Sequence, residues 1–154
     1  MRAKMDEQTV VKANAQFWEQ MLAMMLETMS SPEEPCVGAG HVMGSVSLSG
    51  NWKGRIEVRM ASGLAYEATA AMMMQGVETV GEADVLDATK EIANMIAGTL
   101  KSSLPRPCSM TVPESAVERE GFCEPAAEDT LSVGFHHASG DLLVRIWEQE
   151  CIQE

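Results

Sequence analysis

The side chains best placed to act on another molecule stand on one short stretch, Asp87-Ala-Thr-Lys-Glu91-Ile-Ala-Asn94-Met-Ile-Ala-Gly98. A helical pattern runs through it from about Asp84 to Leu104. At roughly 100° per residue, Val85, Ile92, Ala93, Ile96, Leu100 and Leu104 share one arc, while Asp87, Glu91, Asn94, Gly98 and Lys101 share the other. The apolar arc predicts packing on a core. The polar arc is poorly furnished for a helix, since Asn is a mediocre helix former and an interior Gly costs about 1 kcal/mol relative to Ala. A carboxylate, an amide one turn on and a glycine one turn further place charge, a donor–acceptor group and bare backbone side by side. Such a face suits docking onto a partner. The spacing by itself more often marks an ordinary solvated helix surface.

Those side chains need a domain to hold them, and 154 residues suffice for one with a core. Hydrophobic residues make up 45% and charged residues 22%, the balance of a globular chain rather than a disordered one. Residues 1–154 are read as a single domain, with 1–8 and 148–154 peripheral. Net charge is −12 and the 11 Lys and Arg do not cluster. Nucleic acid, which needs a concentrated basic patch, is excluded as a partner, and an anionic membrane surface is disfavoured. Cys36, Cys108, Cys123 and Cys151 lie far apart, with neither the paired spacing of a zinc site nor the need for a disulfide framework. Reduced thiols in a cytoplasmic protein are the simplest expectation. Asp6, Glu7, Lys12 and Glu19 interrupt any signal-peptide core, and no run approaches the ~18 apolar residues of a membrane span. His136 and His137 are adjacent on a strand and point to opposite faces, His41 stands alone, and no metal site or nucleophilic triad is expected.

The elements around the stretch follow from periodicity. Trp18, Met21, Leu22, Met25 and Met29 predict a largely buried helix over Thr9–Met29, ended by Ser30-Ser31-Pro32-Glu33-Glu34-Pro35. Val42 to Leu48 and Arg55 to Met60 alternate as a hairpin about Ser49-Gly50-Asn51. Ser62 is placed to cap a helix over about Gly63–Gln75, stopped by Gly76. Met72, Met73 and Met74 on it face different directions, so at least one must reach an interface or a second layer. Beyond the opening helix, Cys108–Val117 is extended, with Pro113 assigning it to an edge or a bulge, and Arg119–Glu128 is loop. A second hairpin pairs Leu131–Phe135 with Leu142–Ile146. A long amphipathic helix followed by a hairpin thus occurs twice. The expected fold is α+β, a two-layer domain of long helices on a mainly antiparallel sheet, with pseudo-duplicated halves. Leu143 and Trp147 make the second face of the last strand partly apolar, which points to further burial by a helix or a second subunit.

Asp87-x-x-x-Glu91-x-x-Asn94, continued by Met95-Ile96-Ala97-Gly98, resembles the motif of the CheC/CheX/FliY group of bacterial chemotaxis phosphatases. Leu48-Ser49-Gly50, the helix after Ala61-Ser62, and Ser109-Met110-Thr111-Val112-Pro113 fall where the CheX-type pattern puts them, so the likeness spans about residues 10–147. CheC-type members carry two E-x-x-N helices. Here the first helix has Glu19-x-x-Leu22 instead, as CheX-like members do. The family pattern carries a proline further beyond the asparagine than Pro113 stands, so no role attaches to Pro113.

The resemblance implies a CheC-like fold and hydrolysis of the aspartyl phosphate on a CheY-type response regulator. Asn94 would position the attacking water and Glu91 would pair with the regulator's phosphate-site lysine. Gly98 would admit the partner's backbone. Asp87 is either a further contact or a first-turn acid favourable to the helix dipole. The resemblance also implies that Mg²⁺ belongs to the regulator, that the chain has no cofactor of its own, and that it forms a homodimer. The alternative is a module that binds a response regulator or a flagellar switch component without catalysis, since fold does not fix function.

Overall fold

The computed structural model of the protein describes residues 6–28, 36–123 and 130–149. Two hairpins form its centre. Strand β3 (Val42–Gly50) turns into β4 (Gly54–Met60), and β8 (Thr130–His137) turns into β9 (Gly140–Glu148). They join through β4 and β9, with Ile56 opposite Ile146 and Val58 opposite Val144. Short strands extend the sheet on both sides: β1 (Glu27–Thr28) beside β8, and β5 (Cys108–Met110) and β6 (Glu114–Val117) in line beside β3. Every pairing is antiparallel. Pro113, which has no N–H for a ladder, separates the two edge strands as its chemistry requires.

Alternation along each hairpin sends Val46, Leu48, Ile56, Val58, Met60, Leu142, Val144 and Ile146 to one buried face. Three helices cover that face: α1 (Glu7–Ala15), α2 (Ser62–Met73) and α3 (Glu82–Lys101). This is the two-layer α+β fold expected, with the two hairpins meeting at the centre of one sheet. Helix α3 lies on the first hairpin and α1 on the second.

The first helix differs from the expectation of one helix through Met29. Asp6 caps α1 by accepting the Thr9 N–H at 2.9 Å, a bond that holds the Asp6 carboxyl below its ordinary pKa, aided by the Thr9 hydroxyl. After Ala15 the chain widens into a π-helical segment, Gln16–Met21. Wider turns rotate Met21 away from the face of Trp18, so Met21 is exposed while Phe17 and Trp18 are buried. Ala23 then takes a left-handed φ of 54°, the Met24 N–H closes back on the Trp18 carbonyl at 2.8 Å, and Met25 is left in solvent. Met29 and the expected Ser30–Pro35 stop lie outside the described residues.

Two smaller corrections concern ends and loops. Ser62 is the first residue of α2 rather than its cap, and the left-handed stop is taken by Met74 (φ 55°, ψ 44°) instead of Gly76. Part of the expected Arg119–Glu128 loop is a strand, β7 (Phe122–Cys123), paired with β2 (Cys36–Val37) as a ribbon over β9 on the far side of the sheet. Beneath the ribbon, Glu57 accepts from Arg59 at 2.5 Å and Arg145 at 2.7 Å, and both guanidinium groups stack on Phe122. Leu143 is buried there and Trp147 lies against Arg145. The apolar second face of the last strand is therefore covered within the chain.

Candidate functional site

Helix α3 is the most firmly held element bearing exposed polar groups. Asp84 accepts the Gly81 N–H at 3.0 Å, satisfying a free donor at the helix start. Val85, Ile92, Ala93, Ile96, Ala97 and Leu100 are fully buried against the sheet. Contact with β3 is close because Gly44 has no side chain: a Cβ there would stand 2.8 Å from the Thr89 carbonyl oxygen. Thr89 turns its hydroxyl back to the Val85 carbonyl at 2.7 Å, and Ser115 on β6 donates to the Leu86 carbonyl at 2.8 Å. Rotation of α3 about its axis is thus fixed from below and from the side.

That rotation sets the outward stripe. Asp87, Glu91 and Gly98 are exposed and Asn94 is half-buried, on successive turns of one face. Among the described residues, neither the Glu91 carboxylate nor the Asn94 amide forms a hydrogen bond or an ion pair. Two acceptor oxygens and a donor–acceptor amide therefore project from a firmly seated helix with nothing among the described residues to engage them. At Gly98 an added Cβ would meet nothing within 4 Å, so the fold itself does not call for glycine there.

The stripe runs between two depressions. On one flank a cavity of about 740 Å³ opens between α3, the π-helical segment and the end of α2; Asp87 and Glu91 form part of its wall. On the other flank Gly98, Lys101, Ser102 and Arg106 line a smaller cleft of about 470 Å³. The first cavity brings in residues that periodicity did not single out for the site, namely Asp84, Met21 and Met95. The run Met72-Met73-Met74 was the usable signal, and all three also line it.

The remaining candidates are structural. His41 is buried between the Gly38 carbonyl and the Arg59 guanidinium, each at 2.8 Å. His136 pairs with Asp141 at 2.7 Å, and His137 accepts from the Ser139 N–H at 3.0 Å. Among the described residues no three His, Cys, Asp or Glu side chains converge as a metal site. No helix among them is long and apolar enough to cross a membrane.

A two-layer α+β domain of this kind is shared by solved chemotaxis proteins. The CheC-like superfamily protein from Shewanella sp. PV-4 superposes with a TM-score of 0.75 at 18% identity, covering 95% of this chain and 100% of the other. CheX from Vibrio vulnificus gives 0.73 at 18% identity, covering 93% and 95%. The CheX of the Borrelia burgdorferi CheX-CheY-BeF3-Mg²⁺ complex gives 0.71 at 18% identity, covering 93% and 97%. No curated protein sequence matches the chain. The family profile described as "Chemotaxis phosphatase CheX" matches residues 42–136, more than half of the chain, and the protein belongs to that family.

Proposed function

We propose that the protein accelerates hydrolysis of the aspartyl phosphate of a CheY-type response regulator, with Asn94 and Glu91 as its catalytic residues. One observation carries the reading: in a chain of the CheX family, Glu91 and Asn94 share one exposed face of a rigidly seated helix and have no partner among the described residues. The B. burgdorferi relative, solved with CheY, beryllofluoride and Mg²⁺, supports the same partner here and a metal that comes with the regulator.

The chemistry asks little of the protein. An acyl phosphate is already activated, and the barrier falls when a water is held in line with the breaking P–O bond. Water attacks phosphorus, the aspartate carboxylate leaves with the bonding pair, and the water's proton passes to the phosphate product or to solvent. An amide suits this work because it accepts from the water and donates to a phosphoryl oxygen without changing protonation state. Asn94 takes this role. Glu91, one turn back, pairs with the regulator's phosphate-site lysine and fixes the docking geometry that brings Asn94 into line. Asp87 adds a contact on the same face, and Gly98 lets the regulator's backbone approach α3. Acting on a cytoplasmic regulator places the protein in the cytoplasm. The resemblance to CheX also implies a homodimer, supported by a sedimenting mass of two chains and overturned by that of one at micromolar concentration.

The test is the decay of phosphorylated regulator with wild type, Glu91→Ala and Asn94→Ala. Acceleration by wild type, abolished in Asn94→Ala, is expected. Acceleration that survives Asn94→Ala overturns the assignment, and saturable binding without acceleration makes the protein a binding module instead.

A further inference from the structure

The cavity beside Glu91 is walled by methionine in a way the fold does not need. Met74 ends α2 in the left-handed conformation, where glycine or asparagine is usual. Its side chain is 92% exposed. The closing bonds of the helix are backbone bonds, from the Met74 and Gln75 N–H groups to the Ala71 and Ala70 carbonyls, so no side chain is required to make the stop. Met21 and Met73 on the same wall are also exposed. Apolar side chains left largely in water, as those of Met21 and Met74 are, gain little by folding. An apolar patch of this kind, rimmed by polar groups, marks an interaction surface, and the unbranched, polarizable methionine adapts to whatever apolar shape it receives.

The rim says what that shape is attached to. Asp84, Asp87 and Glu91 edge the cavity, and among the described residues no Lys or Arg lines it. The three carboxylates do not converge on one point as for a metal ion. They are spread along about two turns of α3, the distribution that suits cationic side chains flanking an apolar one. Glu91 belongs both to this rim and to the pair proposed to act on the phosphoryl group. Resting on the function proposed above, we infer that the cavity is the regulator's docking groove: it seats an apolar side chain of the regulator next to the lysine that Glu91 engages. Affinity then resides in Glu91 and in Met21, Met73 and Met74, with the methionines shaping the choice of regulator, while the rate of the bound complex resides in Asn94.

Two measurements test this with a regulator whose phosphate the wild type removes. In decay kinetics, Met73→Ser/Met74→Ser raises the half-saturating concentration roughly tenfold, the loss of two apolar anchors, with the loss read there rather than in the maximal rate. Met25→Ser, exposed but outside the cavity, changes neither. In peroxide footprinting, the beryllofluoride–Mg²⁺ form of the regulator protects Met21, Met73 and Met74 from oxidation while Met25 stays reactive. Unchanged half-saturation in the double variant, or uniform oxidation of all four, overturns the groove and leaves the proposed function standing. A wild type that accelerates the decay of no regulator overturns both.

Discussion

Helices α1 and α3 each carry an asparagine, Asn14 in the last turn of α1 and Asn94 inside α3, and the two amides are used in opposite ways. Asn14 is 1% exposed; its nitrogen donates to the Val10 carbonyl at 2.9 Å and its oxygen accepts from the Trp18 indole N–H at 3.2 Å. Both ends of that amide are consumed in building the core, next to a tryptophan that is itself wholly buried. Asn94 is half in solvent and bonded to nothing among the described residues. A buried polar group must be satisfied, so a core asparagine is held by the interactions it makes. An amide on a helix surface, in a poor position by propensity and without a bond to compensate, is free to meet a group brought by another molecule. The difference separates an asparagine that the fold needs from one that it carries.

Substitutions at the two positions should therefore dissociate stability from activity. Asn94→Ala is expected to reduce the acceleration of phosphoregulator decay by roughly a hundredfold or more, within the range for removing one positioned hydrogen-bonding amide from a transition state. Its thermal melt should stay level or rise slightly, because Ala is the better helix former by up to ~0.7 kcal/mol. Glu91→Ala should weaken docking by about 2 kcal/mol, near the low end for truncating one side of an interfacial charge pair, and regulator titration reads it directly. Asn14→Ala is expected to cost about 2 kcal/mol of folding stability, because the Trp18 indole N–H is left buried without an acceptor. The acceleration per folded molecule should be unchanged. Chemical denaturation beside decay kinetics checks all three. An Asn14→Ala protein that folds normally but fails to accelerate, or an Asn94→Ala protein that melts early and stays active, would reverse the roles given to the two amides.

The same contrast explains what could be read from the sequence. Helix α3 was legible because eight buried residues recur at helical spacing along it, and the stripe carrying Asp87, Glu91, Asn94 and Gly98 follows from that spacing. Both hairpins were legible from strict alternation. Helix α1 was not, because its π-helical widening and the left-handed Ala23 carry no compositional mark; propensity would place neither there. Strands β1, β2 and β7 are two residues each and pair with distant partners, too short for any period to show. The alternating charges Arg55, Glu57 and Arg59 have the pattern of a solvated strand face, yet Glu57 is buried between two arginines under the β2–β7 ribbon. For the site, spacing placed the side chains on one face. Their lack of internal partners, and the methionine-walled cavity beside them, depend on how α2 and the π-helical segment meet α3.

Gly98 offers the smallest effect and the finest distinction. An added Cβ there meets nothing within 4 Å, its backbone is not in a conformation that favours glycine, and it sits inside a long helix. By propensity alone, Gly98→Ala should stabilise the protein by about 1 kcal/mol. If the exposed face were merely solvated, that gain would come without cost. If a regulator's backbone lies against α3 at this point, one methyl group forces the two apart. A separation of an ångström or less matters little to a salt bridge at Glu91 but moves the water held by Asn94 out of line. The expected result is a raised melting temperature with a several-fold loss of maximal acceleration, and little change in the concentration needed for docking. A variant that is more stable and fully active would show that the glycine has no part in the interface, and would confine the working surface of α3 to the segment from Asp87 to Asn94.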